Sequence, residues 1–517
     1  MLKISSCLGL LLCLTLSVST GGAETEYPLT PDSKPQPGVA KGDILKFTFE
    51  SSKIFPGTSR EVSVYVPRQY DPATPACVYV GQDGGGFNAT TVFDNLIERK
   101  EIPVLIGVFI RPGVVLSGNT NALDRFNRSL EYDGLGPDYV EFLLKEIFPA
   151  VEKLKTTDGR AIHVSTNGND RCIGGASSGA ICAFTAAWER PDAFSRVFSS
   201  IGTFVGLRGG NEYPTLVRKF EPRAIRVFQE DGTNDLNIYG GDWWMANQEL
   251  ERSLEFSGYQ HDHQWGNNGH ATEHASAIFP DGMRFLWKDW PEPVQTGATK
   301  NPFLRDILIP GETWQAVQEL RSMKISSNSF HGIRANDRVT LHNGFTYVTE
   351  SGSKGDKAGR VWFVSASGRK QVVDGELKFP NGVTVSPDQS LLYVDDATTH
   401  WVCSYRILSD GSLEHKQRYF RLHVPDTAED SGAAGMQCDR DGRLYVATRM
   451  GVQVCDQAGR VNCILNIPKG AISRLNFDPL NNDILCCTIG GETFKRRLKV
   501  KGALPSEAPL KPAAPRL

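Results

Sequence analysis

The chain reads as two folds in series: a multidomain protein with a mainly parallel α/β sheet, helices on both faces, followed by an all-β, propeller-like region that is cut short. Three observations lead there. Up to about residue 293, short apolar runs alternate with stretches of helical periodicity, the pattern of βαβ units. Inside that half, Gly175-Ala176-Ser177-Ser178-Gly179 sits between a strand-like run and a helix-like one. Beyond about residue 329 the helical periodicity disappears, and short strands alternate with Gly, Asp and Asn turns.

Length and charge set bounds. A chain of 517 residues exceeds what one core usually needs, so two or three domains are expected. Lys and Arg (56) nearly balance Asp and Glu (59), and no segment is strongly basic, so neither nucleic acid nor an anionic membrane surface is an expected partner. Lys3, the apolar run Leu8 to Val18 and the small residues Gly21-Gly22-Ala23 read as a secretory signal over residues 1–23. The run is shorter than the ~20 apolar residues of a membrane span. Export to the periplasm or the medium is expected, with no membrane association after cleavage.

Residues 24–43, rich in Pro, Gly and Lys, read as a loose leader. The α/β half follows over residues 44–293. Ser63 to Val66 is a strand stopped by Pro67, and Ala76 to Val80 is a short apolar strand ending in the glycine run Gly84-Gly85-Gly86. Ile102 to Ile110 is a buried-type strand. Asp138 to Lys153 is helical, with Val140, Leu143, Leu144, Ile147 and Phe148 on one face. A helix through Trp188, strands at Arg196–Ile201 and Ile225–Phe228, and a closing helix at Arg284–Trp287 complete it. Residues 294–328, broken by Pro302, Pro310 and Gly311, read as a linker. Residues 329–502 are the propeller-like region, with strands such as Thr346–Thr349, Arg360–Val364, Leu391–Val394 and Leu444–Ala447. The Pro- and Ala-rich tail, 503–517, is expected to be disordered.

Of the 11 cysteines, Cys7 and Cys13 fall in the expected signal. The others offer neither metal-ligand spacing nor a disulfide framework. Cys77, Cys172 and Cys182 read as small core hydrophobes, and Cys486-Cys487 as a vicinal pair on a strand.

The Gly-x-Ser-x-Gly run is a nucleophile elbow in a strand-turn-helix setting. Serine needs a base, itself oriented by an acid. Strand Ile225–Phe228 is followed by Glu230-Asp231-Gly232-Thr233-Asn234-Asp235, which puts Asp235 beyond the strand's C-terminal end, where open α/β sheets bind ligands. Asp231 is the alternative acid. Gly266-Asn267-Asn268-Gly269-His270 places His270 on a flexible loop before the last helix, with His274 as the alternative base. Two backbone donors are expected for the oxyanion: the Ser178 amide, and Gly84 or Gly85 in the glycine turn. Trp243, Trp244 and Trp265 line either a substrate pocket or the core. His261-x-His263, without a third ligand in sight, reads as surface.

These pieces carry a resemblance. Gln82-Asp83-Gly84-Gly85-Gly86-Phe87, Asn127-Arg128-Ser129-Leu130-Glu131-Tyr132-Asp133, the elbow, Gly232-Thr233-Asn234-Asp235 and Gly269-His270 span the whole first region. It resembles the esterase D / enterochelin esterase-like branch of the α/β-hydrolases, feruloyl esterases included. That resemblance implies carboxylic ester hydrolysis through Ser177, Asp235 and His270, without a cofactor, on a small-molecule or polysaccharide ester. The substrate types left open are carbohydrate, phenolic and siderophore esters.

The second region, through Arg334-Ala335-Asn336-Asp337, Phe379-Pro380-Asn381-Gly382-Val383, Ser386-Pro387-Asp388 and Gly451-Val452-Gln453-Val454-Cys455-Asp456, resembles the senescence marker protein / gluconolactonase family. That family is a six-bladed propeller with a central divalent metal. Asn336 and Asn381 match its metal-ligand positions. The departures are large: two blades are missing, no Glu-Gly-Pro ligand segment is found, the expected Asp-Gly-Met reads Ala434-Gly435-Met436, and the late Ser-Asn reads Ser473-Arg474. Calcium-type ions need several oxygen ligands, carboxylates above all. The expectation is at most weak Ca2+ or other divalent-metal binding at a remnant site, with lactonase activity lost. The alternatives to a serine esterase are a metal-dependent sugar lactonase in the propeller, or a propeller that is a non-catalytic binding module.

Overall fold

Eight strands build the first sheet of the computed structural model, which describes residues 26–317, 329–352, 358–468 and 470–515. They are β1 (Asp43–Phe49), β2 (Arg60–Val66), β3 (Cys77–Gly81), β4 (Leu105–Ile110), β5 (Arg171–Ala176), β6 (Arg196–Ser200), β7 (Arg226–Gly232) and β8 (Gln260–Gly266). Their order across the sheet is β1-β2-β4-β3-β5-β6-β7-β8. β2 runs antiparallel to β1 and β4, and every later pairing is parallel. Strands β3, β4, β6 and β7 are buried along their whole length, which parallel pairing demands because crossover helices cover both faces.

Five helices supply most of that cover: α1 (Ala89–Glu98), α2 (Ser178–Glu189), α3 (Tyr213–Lys219), α4 (Trp243–Ser257) and α5 (Glu273–Trp287). On one face Phe93 and Leu96 of α1 and Phe279 and Met283 of α5 pack on Tyr79, Phe198 and Phe228. On the other, Ile181 and Phe184 of α2 and Leu250 and Leu254 of α4 pack on Val78, Ile173, Val197 and Val227. Period-2 strands and period-3.6 helices thus close one core on each side.

The leader is packed rather than loose. Asp32 pairs with Arg99 (2.6 Å) and Arg284 (2.5 Å), and the Tyr27 hydroxyl donates to Asn267 Oδ1 at 2.7 Å. Two guanidiniums converging on one carboxylate offset the entropy cost of ordering a proline-rich segment. The tail is likewise laid on the propeller: Gln389 Nε2 donates to the Pro505 carbonyl, Gln457 Nε2 to that of Ala513, and Arg440 pairs with Glu507. Its carbonyls have no helix or sheet of their own, so side-chain amides take them up.

Four four-stranded sheets make the second region. Blade 1 runs from Asp337 to Asp374, blade 2 from Pro380 to Arg421, blade 3 from Met436 to Leu465, and blade 4 from Ile472 to Arg497. Blade 4 takes its outermost strand, Gln315–Ala316, from upstream. The segment expected to be a linker is therefore partly built into the propeller: Leu304 and Ile307 of a short helix enter the core of blades 3 and 4, and Trp314 Nε1 donates to the Asn466 carbonyl at 2.6 Å. Blades 1 and 2 share another core. Among the described residues no core joins blade 1 to blade 4. The two end faces are finished differently. A hairpin carrying Phe330 and Ile333 covers Val348, Trp362 and Val364 of blade 1. The last face of blade 4 presents a polar row, Arg474, Thr488 and Thr493. Capped or polar ends keep an open stack from associating through its faces.

The two regions share buried surface. Blade 2 and 3 residues Phe420, Leu422, Met436 and Ile464 belong to the same core as Phe220 and Tyr213. Glu221 pairs bidentately with Arg496 at 2.7 and 2.8 Å, and Asn301 Nδ2 donates to the carbonyls of both Arg218 and Asn462. A cavity of about 710 Å³ remains between them, lined by Trp188, Glu189, Arg223, His423 and Met450. The nine described cysteines are free and buried, as small core hydrophobes. The expected signal, with Cys7 and Cys13, lies outside the described residues. No described helix is long and apolar enough to cross a membrane.

Candidate active site

The ends of β3, β5, β7 and β8 meet at one place, because parallel strands present all their C-terminal loops on one edge. β5 ends at Ala176, and Ser177 turns the chain into α2 with φ 59° and ψ −123°. The left-handed φ of a non-glycine residue marks an elbow that its surroundings enforce. Gly175 and Gly179 permit it: a Cβ on Gly175 would lie 2.6 Å from the Gly179 carbonyl carbon. Strand and helix approach too closely there for any side chain.

His270 Nε2 stands 2.9 Å from Ser177 Oγ, and His270 Nδ1 lies 2.6 Å from Asp235 Oδ1. The Asp235 side chain is fully buried, and its Oδ1 also accepts from the Leu236 amide at 2.6 Å. Burial works to raise the Asp235 pKa, but hydrogen bonds to His270 and Asp231 outweigh it, and the carboxyl lies below its usual range. This order of contacts sets the tautomer. Nδ1 carries the proton toward Asp235, and Nε2 is left to accept from the Ser177 hydroxyl.

Of the two alternatives, neither reaches the serine. His274 is buried on α5, where Nδ1 meets Glu230 Oε1 at 2.9 Å and the ring packs on Tyr27. Glu230 is also held by Ser200 Oγ and Asn268 Nδ2, so this network pins the loop that carries His270. Asp231 lies behind Asp235, fully buried within β7, and accepts from Gly232 N (2.7 Å) and Asn247 Nδ2 (2.8 Å).

The oxyanion donors need one correction. Ser178 opens α2, so its amide has no acceptor within the helix. Gly85 spends its N–H on the Gln82 carbonyl at 3.0 Å, closing a tight turn over Gln82–Gly84. A 3-10 turn consumes the amide that a more open loop would present. The turn itself is anchored. Asp83 (φ 57°) pairs bidentately with Arg128 at 2.8 and 2.9 Å, and Arg128 Nη2 reaches the Ala176 carbonyl at 3.4 Å.

Thr203 was not singled out from the sequence. Its Oγ1 is 3.2 Å from Ser177 Oγ and accepts from Trp243 Nε1 at 3.3 Å. With the Ser177 proton directed at His270, the Thr203 hydroxyl donates to Ser177 Oγ. Its position just past the C-terminal end of β6 is the signal that would have found it. Trp243 stands edge-on to His270, with centroids 5.9 Å apart. Trp244 and Trp265 pack on each other, and His263 stacks on Trp265.

In the propeller, Asn336 and Asn381 sit on adjacent blades, each turned to the backbone. Asn336 Nδ2 donates to Ser351 Oγ and to the Pro380 carbonyl, and Asn381 Nδ2 donates to the Ala433 carbonyl at 2.9 Å. Two buried carboxylates lie nearby: Asp337 accepts from the amides of Arg338 and Val383 and feels the charge of Arg474, and Asp395 accepts from the Gly382 amide. Among the described residues no group of three or more His, Cys, Asp or Glu is placed to hold a metal. This donor set does not fit a divalent cation, and no chemistry is derived through one.

Comparison with known proteins follows the same division. Residues 52–276 match the family model described as "Putative esterase", and residues 310–494 the one described as "SMP-30/Gluconolactonase/LRE-like region". The second match begins upstream of residue 329 and takes in the strand that completes blade 4. A gluconolactonase of Zymomonas mobilis is 29% identical over 148 residues, which are 28% of this chain and 39% of that protein. The enterobactin esterase FES of Shigella flexneri, solved with 2,3-dihydroxy-N-benzoyl-glycine, is 19% identical with a TM-score of 0.37, over 50% of this chain and 63% of that one. A ferulic acid esterase is 17% identical with a TM-score of 0.37, over 48% of this chain and 98% of its own. The chain thus joins a region that matches the esterase model, residues 52–276, to one that matches the gluconolactonase-like model, residues 310–494.

Proposed function

We propose that this chain is an exported serine-dependent carboxylic ester hydrolase that works through an acyl-enzyme. The observation that carries the reading is the continuous hydrogen-bonded line Ser177–His270–Asp235, at 2.9 and 2.6 Å, on the C-terminal edge of the sheet. Ser177 Oγ attacks the ester carbonyl while His270 Nε2 takes its proton. Asp235 stabilises the imidazolium and keeps its ring in place. The Ser178 amide and an amide of the 84–86 turn hold the oxyanion, aided by the positive end of α2. His270 then protonates the leaving alkoxide. Water enters, gives its proton to His270, and releases the acid from Ser177. No cofactor is used. The ester belongs to the carbohydrate, phenolic or siderophore type.

We assign the propeller a structural rather than a lactonase role, because its donor set does not fit a metal and its blades share the hydrolase core. Turnover of p-nitrophenyl acetate and butyrate by the mature chain, with EDTA present and beside Ser177→Ala, tests both statements. The serine reading expects EDTA-resistant turnover that the variant lacks. EDTA-sensitive hydrolysis of a sugar lactone that survives in the variant would transfer the chemistry to the propeller.

A further inference from the structure

We propose that Asp231 is a positioning residue that stays protonated in the working enzyme and donates a hydrogen bond to the free oxygen of Asp235. The proposal rests on the serine hydrolase reading and deepens it.

The geometry begins with an unmet acceptor. Asp235 Oδ1 is taken by His270 and Leu236, while Oδ2 is buried with no donor from any amide, hydroxyl or nitrogen around it. A buried carboxylate oxygen without a donor is costly, and more so beside a group that must hold an imidazolium. Besides His270, the Asp231 carboxyl is a side chain placed to share a hydrogen bond with Asp235. Two carboxylates in contact repel, so one must carry a proton, and that proton must lie between them.

The assignment of the proton follows from the surroundings. Asp235 faces His270, which favours its ionised form. Among the described residues no cation pairs with Asp231. From α4 it meets Asn247, and from its own strand the charge of Glu230, which is held in turn by His274 of α5; its partner on β8 is Trp265. Asn247 offers no competing acceptor. Its amide nitrogen also faces the carbonyls of Gly202 and Trp243, which only N–H can satisfy, so the side chain presents nitrogen rather than oxygen to Asp231. Burial and the charge of Asp235 push the Asp231 carboxyl far above its usual range. A neutral acid there keeps Asp235 ionised and fixed while adding no second negative charge behind the histidine.

The test compares full-length wild type, Asp231→Asn and Asp231→Leu on p-nitrophenyl acetate from acidic pH to about pH 10. The expected result is an alkaline fall in kcat of about tenfold in wild type that Asp231→Asn abolishes. At neutral pH the amide keeps the donor and gives up one acceptor, so kcat should stay within about fivefold; the leucine variant should lose about 10- to 100-fold, with KM nearly unchanged in both. Carboxyl NMR of 13C-aspartate-labelled protein should show, at neutral pH, a protonated buried carboxyl whose signal Asp231→Asn removes. That measurement needs neither turnover nor the leucine variant, so it decides the inference even where the hydrolase reading fails. An Asp231 carboxyl titrating in the ordinary range, or equal losses in kcat for Asn and Leu, would overturn it.

Discussion

In the hydrolase region, polar side chains at the strand ends point at one another across the edge of the sheet. In the propeller, the side-chain amides at the matching positions are spent on backbone carbonyls of the next blade. Ser177, His270 and Asp235 lie on three different loops, yet each spends its hydrogen bonds on the next. Asn336 and Asn381 lie on neighbouring blades, and each gives its amide N–H to a carbonyl at the start of the next blade, Pro380 and Ala433, while an alanine and an arginine occupy the other matching positions. The difference lies in the groups that are joined: hydroxyl, imidazole and carboxylate can pass a proton along their line, whereas an amide N–H given to a carbonyl cannot.

The sharpest way to break this comparison is to remove the nucleophile. Ser177→Ala should lower ester turnover by about 10⁴-fold or more and leave thermal unfolding unchanged, since the Oγ carries little packing. A variant retaining a tenth of the activity would place the chemistry elsewhere. The next effect bears on whether the two regions stand as one body. The Arg496 side chain is 4% exposed and that of Glu221 21%. Glu221→Ala leaves a nearly buried guanidinium without its partner and should cost about 3 kcal/mol in urea unfolding. Loss of ester turnover and of the blade signal in a single transition would mark one cooperative unit, whereas two transitions would separate them.

A smaller effect is expected from pH. Burial, with Lys219 and Arg421 close by, holds His423 down at about 4. The unfolded chain binds this proton more readily, so stability is full above the ordinary histidine range and falls as pH drops from there through about 4. His423→Gln should flatten that acid limb in equilibrium unfolding; an unchanged limb would mean the interface tolerates the charged ring. The smallest effect is expected from calcium. Millimolar Ca2+ should shift the melting temperature by less than about 1 °C, because among the described residues no group of three or more His, Cys, Asp or Glu is placed to hold it. A saturable rise would mean that the positions of Asn336 and Asn381 still bind.

Much of this was legible before folding. The elbow, the order Ser177, Asp235, His270 and the glycine turn follow local rules of chain direction, and each stands on the loop its pattern implied. The change of texture near residue 329 foretold the blades, because period-2 runs between turn residues cannot serve as helices. What escaped notice was non-local. Thr203 and Asn247 look ordinary in sequence, and they matter only because β6 and α4 bring them to Ser177 and Asp231. The leader, the linker and the tail read as loose because composition reports what a segment lacks, not what a distant arginine or glutamine will offer it.

The sequence by itself determined which residue types stand at the strand ends and how many blades there are to build. Only the tertiary structure decided the rest: that Asp235 rather than Asp231 meets His270, that Gly85's amide is spent, and that residues 315–316 return to complete blade 4. The reason is range. Hydrophobic period and turn chemistry act over a few residues, whereas a 2.6 Å hydrogen bond between residues 35 apart exists only once the sheet has set both loops on one edge.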